Sequence, residues 1–372
     1  MLSNRTARPE TWNSGENRQG YFQGDGFLTV LVDAQEFGKP KAEIFQVYDW
    51  ARLPGVTNLY TKDIPTYQRN THNAEHFFND EKFVGGVSDG LVGVSAMVYS
   101  RPTVALYARK SWFFLGGIII ALGTDITLPE DEVTNQTVIT TLSQEVYGGV
   151  GYTIGMNRYE TVGLGLEDHR NVESYVTEQP LWLHHHNVGY VFLSGNQLLH
   201  TNAQHKTVNN KKFIIFSAWL DHGSFPTNGS YAYAVLPAKT QQWTADFAVD
   251  RNVHILMQTT QVHAVCYDIA QVTGITFYSA ESLLFTCGNS GLMEVSVNLP
   301  CLVLIKVKRY KKDYAKIKIT IADPQQLYNI ISLQVVWGNE QSVLNVNLPQ
   351  HPNRGASVSH TLTFSSSPYR VS

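Results

Sequence analysis

The feature that most constrains this 372-residue chain is a recurrence of short β-branched and aromatic runs with no long amphipathic helical pattern between them. "GFLTVLVD" (26–33), "GLVGVSAMVYS" (90–100), "KKFIIFSAWL" (211–220) and "YAYAVLP" (231–237) come first. "CLVLIKVKRY" (301–310), "AKIKITIAD" (315–323), "ISLQVVW" (331–337) and "SVSHTLTF" (357–364) follow. Gly, Asn, Asp or Pro separates them, and "AKIKITIAD" alternates as a strand with one wet face does. Many such strands at short spacing imply an all-β chain of large antiparallel sheets or sandwiches. "SWFFLGGIIIALG" (111–123) is too short to span a bilayer, and its central Gly pair reads as the turn of a buried strand pair. Residues 35–50 leave room for a short helical turn before Trp50, and "RLPGVTN" (52–58) reads as a turn around Pro54-Gly55. Near residue 250 the long aromatic strands give way to "NVHILMQTTQVHAVCYD", which suggests a domain junction.

Charged residues make up 16% of the chain and aromatics 12%, a balance that favours a folded β-rich protein over a disordered or coiled-coil one. The net charge of -3 gives no global pull toward nucleic acid, so a polyanion site has to be a local basic cluster. Cys266, Cys287 and Cys301 are too few for a disulfide scaffold. One bridge is open to them, and the odd count leaves at least one free thiol. Polar residues follow Met1 directly, so no signal peptide is visible, and any export signal or anchor would precede it. Asn4, Asn135 and Asn228 stand in glycosylation sequons. Phosphate-loop, HExxH and GxSxG signatures are absent. "LHHHNVGYVF" (183–192) invites a metal site, but consecutive strand residues point to opposite faces, so the three histidines cannot all reach one ion. Structural histidines and no metal are the expectation.

The stretch "NRTARPETWNSGENRQGYFQGDG" (4–26) has the make-up of a binding wall. Arg5 and Arg8 can present two guanidinium groups to one anion, and Glu10 and Glu16 can hold them in place. The plainer reading is a solvated segment whose charges pair among themselves. Trp12, Trp50 and Tyr21 offer rings to sugar faces, although burial in a sandwich is the commoner fate of such residues. His72 and His76 would contact sulfate only when protonated.

Several segments, taken together and in order, resemble the signatures of polysaccharide lyase family 8, which includes hyaluronate, chondroitin AC and xanthan lyases. They are "NSGENRQGYFQGDG" (13–26), "RLPGVT" (52–57), "FVGGVSDGLVGVSA" (83–96) and "KSWFFLGGIIIALG" (110–123). "HHHNVGYVF" (184–192), "DHGSFPTNGSYAYAVLP" (221–237), "NVHILMQTTQVHAV" (252–265) and "VNLPQHPNRGASVS" (346–358) continue the series. The resemblance implies a large antiparallel β super-sandwich over residues 25–250 and a smaller C-terminal β-sandwich over 251–372. Residues 1–24 would be the remnant of a junction with the family's N-terminal α/α toroid, which is absent from this chain. Gly116-Gly117 is a departure, since bacterial members often carry acidic residues there.

Family enzymes cleave uronic-acid polysaccharides by β-elimination and need no cofactor. An Asn and a neutral His neutralise the substrate carboxylate while a Tyr moves the proton. Those three lie in the toroid and have no counterpart here, so this chain alone is expected to be inactive. What the resemblance does place is a supporting wall. Arg5 and Arg8 match arginines that bind substrate, with a spacing that departs by a residue, and Asn13, Glu16 and Asn17 occupy the adjoining motif. Glu75 and Asn79, with Glu81 as fallback, stand where the central domain offers a Glu and an Asn, in what otherwise reads as a hydrophilic loop. The expected supporting catalytic residues are therefore Arg5, Arg8 and Glu75, and the expected substrate contacts are Trp12, Asn13, Glu16, Asn17 and Asn79. The implied partners are an acidic polysaccharide and the toroid, not nucleic acid. A membrane would be met only through an anchor ahead of this chain, and the expected location is extracellular or a virion envelope surface. The alternative is a non-catalytic carbohydrate-binding or structural envelope module.

Overall fold

The structure is a computed structural model that describes residues 19–33, 36–37, 43–64, 81–101, 104–130, 136–147, 151–156, 161–164, 173–195, 197–311 and 314–365. Four antiparallel sheets make up almost all of it, so the all-β expectation holds. A five-stranded sheet has the order Thr57–Leu59, Val138–Val146, Lys211–Asp221, Leu198–Val208, Glu173–Glu178. A nine-stranded sheet runs Val84–Ser88, Gly93–Arg101, Leu106–Leu115, Ile118–Thr127, Gly229–Pro237, Val188–Phe192, Trp182–His185, Tyr152–Gly155, Thr161–Leu164. The third sheet, of six strands, runs Val253–Gln258, Val262–Tyr267, Val272–Phe277, Cys301–Lys311, Tyr314–Ala322, Val358–Phe364. The fourth has the order Ser282–Phe285, Met293–Val297, Ile330–Trp337, Glu340–Asn347.

Contacts divide the chain into two compact units. One comprises residues 1–81, 99–108 and 125–250, and the other comprises 82–98, 109–124 and 251–372. In the second unit the six- and four-stranded sheets close face to face over a core that includes Phe277, Ile319, Ile321, Leu333 and Trp337. These aliphatic and aromatic side chains alternate inward from both sheets, as a sandwich requires. Trp337 is fully buried and donates its indole N–H to the Ser290 carbonyl at 2.7 Å, so its one polar atom is satisfied.

Local chemistry explains the connections. Gly116 and Gly117 take φ of 60° and 89° at the tip of the hairpin between Leu106–Leu115 and Ile118–Thr127. Two successive left-handed residues are what a tight hairpin turn demands, and glycine supplies them without strain. The expected helical turn before Trp50 is present as a 3-10 turn, Glu43–Gln46. "GFLTVLVD" differs from expectation. Residues 26–33 form no ladder, and Leu28 donates a single hydrogen bond to the Pro54 carbonyl. Among the described residues one α-helix, Gln241–Val249, breaks the β pattern. The Thr240 side chain caps it by accepting from the Trp243 N–H at 3.2 Å. Among the described residues no helix is long and apolar enough to cross a membrane.

Cys266, on a strand of the six-stranded sheet, is bonded to Cys287, just beyond a strand of the four-stranded one. Cys301 is free and buried, and burial pushes its thiol well above the usual range. The bridge closes a loop of 21 residues, for which chain entropy implies about 3 kcal/mol of stabilisation. Thiol titration checks this assignment. The native protein should react with no equivalent of an aromatic disulfide reagent, the unfolded non-reduced protein with one, and the reduced unfolded protein with three. Replacing both Cys266 and Cys287 by Ala should lower unfolding free energy by about 3 kcal/mol. A native protein that titrates two or more thiols would contradict the pairing.

Candidate functional site

In the first unit an open cleft of about 800 Å³ lies over one face of the five-stranded sheet. Its wall is the segment Val47–Ile64, and its floor includes Asn202, Gln204 and Lys206 from one strand and Ser217 from the next. The floor residues Asn202, Gln204 and Lys206 are two apart on the same strand, so their side chains share a face.

The wall is built around Gln144, a buried residue of the strand Val138–Val146. Its carboxamide oxygen accepts the Asp49 N–H at 2.8 Å, and its nitrogen donates to the carbonyls of Asp49 at 3.0 Å and Arg52 at 2.7 Å. The chain then reverses at Pro54-Gly55, where Gly55 has φ of 82°. A Cβ there would stand 2.6 Å from the Gly26 carbonyl oxygen, so only glycine fits this close approach.

With its backbone fixed, Asp49 accepts the Arg52 Nη1 hydrogen bond at 2.8 Å and the Tyr60 hydroxyl at 3.0 Å on the same carboxylate oxygen. The Arg52 guanidinium lies between the rings of Tyr60 and Trp219, 4.1 and 4.0 Å from their centroids. Its Nε and the Oδ1 of Asn202 are buried without a hydrogen-bond partner among the described residues. Burial and the Asp49 charge push the Tyr60 hydroxyl up to about 12, against the opposing effect of Arg52, so it stays protonated and donates. His200 stacks on Trp219 at 5.4 Å, and burial holds it below the usual imidazole range. Trp50 is half-buried against Phe45 and Tyr48 and lines the cleft. The cleft thus offers a clamped guanidinium, the lysines Lys62 and Lys206, amide side chains and an indole edge, a set suited to an anionic, hydroxyl-rich ligand.

The expected site residues Arg5, Arg8, Trp12, Asn13, Glu16, Asn17, Glu75 and Asn79 lie outside the described residues, as do His72 and His76. Glu81 is described and half-buried, and it does not line the cleft. Tyr21 is buried beside Phe22 in a core cluster and is not a sugar platform. Asp49, Arg52 and Tyr60 were not anticipated from sequence. The one local signal was the acid–base pair three residues apart around Trp50, and the contacts that give it meaning are with residues 144 and 219.

The histidine triplet has its own arrangement. His184 meets the Lys239 carbonyl at 2.9 Å. His185 bonds Glu145 at 2.7 Å, and His186 reaches the other oxygen of the same carboxylate at 3.4 Å and Asp33 at 3.2 Å. Strand alternation fails between His185 and His186 because His186, with φ of 47°, already belongs to the hairpin turn. Among the described residues one group of metal-type side chains lies close together, Cys266, Asp268 and Cys287 rather than the histidines, and its two sulfurs are joined. Burial raises the Glu145 carboxyl, but hydrogen bonds and charge from His185 and His186 outweigh it and hold the group below the ordinary range.

Contact with Glu145 raises His186 from 6.5 to about 9, against burial, with the Asp33 charge adding. A folded-state value above the unfolded one means that this contact stabilises fully below pH 6.5 and fades as pH rises toward 9. Urea midpoints of the wild-type protein should therefore fall across that window by no more than about 3 kcal/mol in unfolding free energy. The His186→Gln variant should show a flatter profile there, and an equal slope in both proteins would contradict the assignment.

A sequence profile for the super-sandwich domain of polysaccharide lyase family 8 matches residues 1–248, and one for that family's C-terminal beta-sandwich domain matches 254–329. Chondroitinase-AC of Pedobacter heparinus is 30% identical over 372 residues, an alignment covering 96% of this chain and 48% of the relative. Hyaluronate lyase HylB of Enterococcus faecalis is 26% identical, with 90% of this chain and 33% of the relative covered. The chain therefore spans about half the length of these relatives or less. A solved chondroitinase AC lyase superposes with a TM-score of 0.69 at 26% identity, covering 87% of this chain and 45% of that one. Paenibacillus xanthan lyase shares the fold with a TM-score of 0.77 at 23% identity, covering 100% of this chain and 36% of that one. By its matched domains, and by sequence likeness along nearly its whole length, this chain belongs to polysaccharide lyase family 8.

Proposed function

We propose that this chain is the β portion of a lyase that cleaves uronic-acid polysaccharides such as chondroitin or hyaluronan by β-elimination. It supplies the substrate-holding wall and the scaffold. The observation that carries this reading is the cleft itself. Gln19, which directly follows residues 1–18, and Ile64, which directly precedes 65–80, both line it together with Arg52. The same cleft joins that clamped guanidinium to Lys62, Lys206 and the amides of Asn202 and Gln204.

Elimination removes a proton from a carbon already next to a carboxylate, so charge must spread into that carboxylate as the proton leaves. Fixed cations and amide donors that meet the carboxylate lower this cost. Arg52 is held in advance by Asp49 and two rings, so little side-chain freedom remains to be lost on binding. The one tyrosine hydroxyl placed against Asp49 stays protonated at neutral pH, which makes it a poor base. The Tyr that would move the proton, and the Asn and His that would neutralise the carboxylate, are assigned by the family resemblance to sequence outside this chain. The Cys266–Cys287 bridge favours an oxidising, extracellular or envelope-surface location.

Binding and turnover test this separately. Calorimetry with chondroitin and hyaluronan oligosaccharides should show binding by residues 1–372, and ultraviolet absorbance should show no unsaturated product. Arg52→Ala should weaken binding by about tenfold or more, the loss of one charge-assisted hydrogen bond of roughly 1.5–3 kcal/mol, and Arg52→Lys should recover only part. Product formed by this chain alone would overturn the assignment of the proton-moving residues. Absence of binding would overturn the substrate wall and favour a structural module.

A further inference from the structure

In the second unit, on the six-stranded sheet, two neighbouring strands carry lysines at facing positions. Lys306 stands opposite Lys318, and Lys308 opposite Lys316. The residues between them, Val307 and Ile317, are buried in the sandwich core, so the four amines share the other face. Lys308 and Lys316 are exposed, and Lys306 and Lys318 are partly so. Like charges placed directly opposite each other in an antiparallel pair cost stability. Here that happens twice in succession in a chain whose net charge is -3. Asp89 meets this group, its Oδ2 lying 3.7 Å from the Lys318 Nζ. Burial raises the Asp89 carboxyl, but backbone hydrogen bonds and the charges of Lys306 and Lys318 hold it below the usual range.

The adjoining edge strand extends the same face. Thr361 pairs with Lys318, Thr363 with Lys316 and Ser359 with Thr320, and all three edge residues are exposed. The result is a strip with a double row of amines beside a row of hydroxyls. Amines on one strand repeat at roughly 6.6 Å, and neighbouring strands lie about 4.8 Å apart.

We propose that this strip is a second binding surface, separate from the cleft, for an acidic polysaccharide chain. Lysine is a flexible point charge, suited to tracking repeated carboxylates or sulfates along a polymer, and the hydroxyls match sugar hydroxyls. Nucleic acid fits less well, because a sheet face offers no helix or ribbon to enter a groove. The ligand class rests on the proposed function, while the location rests on the lysine ladder alone.

The test measures affinity of residues 1–372 for polymeric chondroitin sulfate over a salt series, with dextran as the uncharged control. The double variant Lys308→Gln/Lys316→Gln should bind about tenfold more weakly at low salt. Its log–log salt slope should be smaller by about one to two, as expected when two cations are removed from a polyanion contact. Lys308→Arg/Lys316→Arg should keep both affinity and slope, which shows that charge is read and that the sheet tolerates substitution. Unchanged binding in the Gln variant would overturn the inference. Duplex DNA that competes as well as chondroitin sulfate would overturn the ligand class. Loss in Arg52→Ala but not in the Gln variant defeats this surface and leaves the cleft standing, whereas the converse defeats the cleft and leaves this surface.

Discussion

The Gln144 carboxamide makes three hydrogen bonds that span 92 to 95 residues of sequence, and it makes them while almost fully buried. A buried amide cannot exchange a lost partner for water, so each broken bond leaves an unsatisfied group at a cost of about 1–3 kcal/mol. The segment Asp49–Arg52 is therefore held to the sheet in one register. From that follow the reach of Asp49 to Arg52 and Tyr60, and the seating of the guanidinium between two rings. The cleft wall is a consequence of one side chain on its floor strand.

Two cationic surfaces of different character emerge. Arg52 is immobilised before any ligand arrives, and a planar fork held in place favours a single carboxylate in a single pose. The lysines of the second unit are point charges on long flexible side chains and favour many anions in many poses. The first arrangement suits chemistry at one sugar, and the second suits retention of a polymer. Family membership fixes the β-sandwich framework that both share.

Much of the framework was legible because it depends on local rules. The Gly116-Gly117 hairpin, the Pro54-Gly55 turn and the alternation of residues 315–319 follow from backbone conformation and strand period. The cysteine count left room for one bridge and required at least one free thiol, and the structure pairs Cys266 with Cys287. Other features needed distance in sequence. "GFLTVLVD" has strand composition but finds no ladder partner, and Gln241–Val249 is a helix too short for a periodic signal to stand out. His185 and His186 converge on Glu145 because a turn begins between them, which strand periodicity does not reveal. Arg52 gains its role only when Gln144 and Trp219 are brought to it.

Hydrogen exchange of residues 1–372, with and without a chondroitin oligosaccharide, tests the central claim that the Gln144-braced cleft holds the substrate. The account predicts slower exchange in 47–62 and 202–206, which line the cleft, and loss of that protection in Gln144→Ala with the sandwich core still protected. Unchanged exchange in both segments at saturating ligand would contradict it.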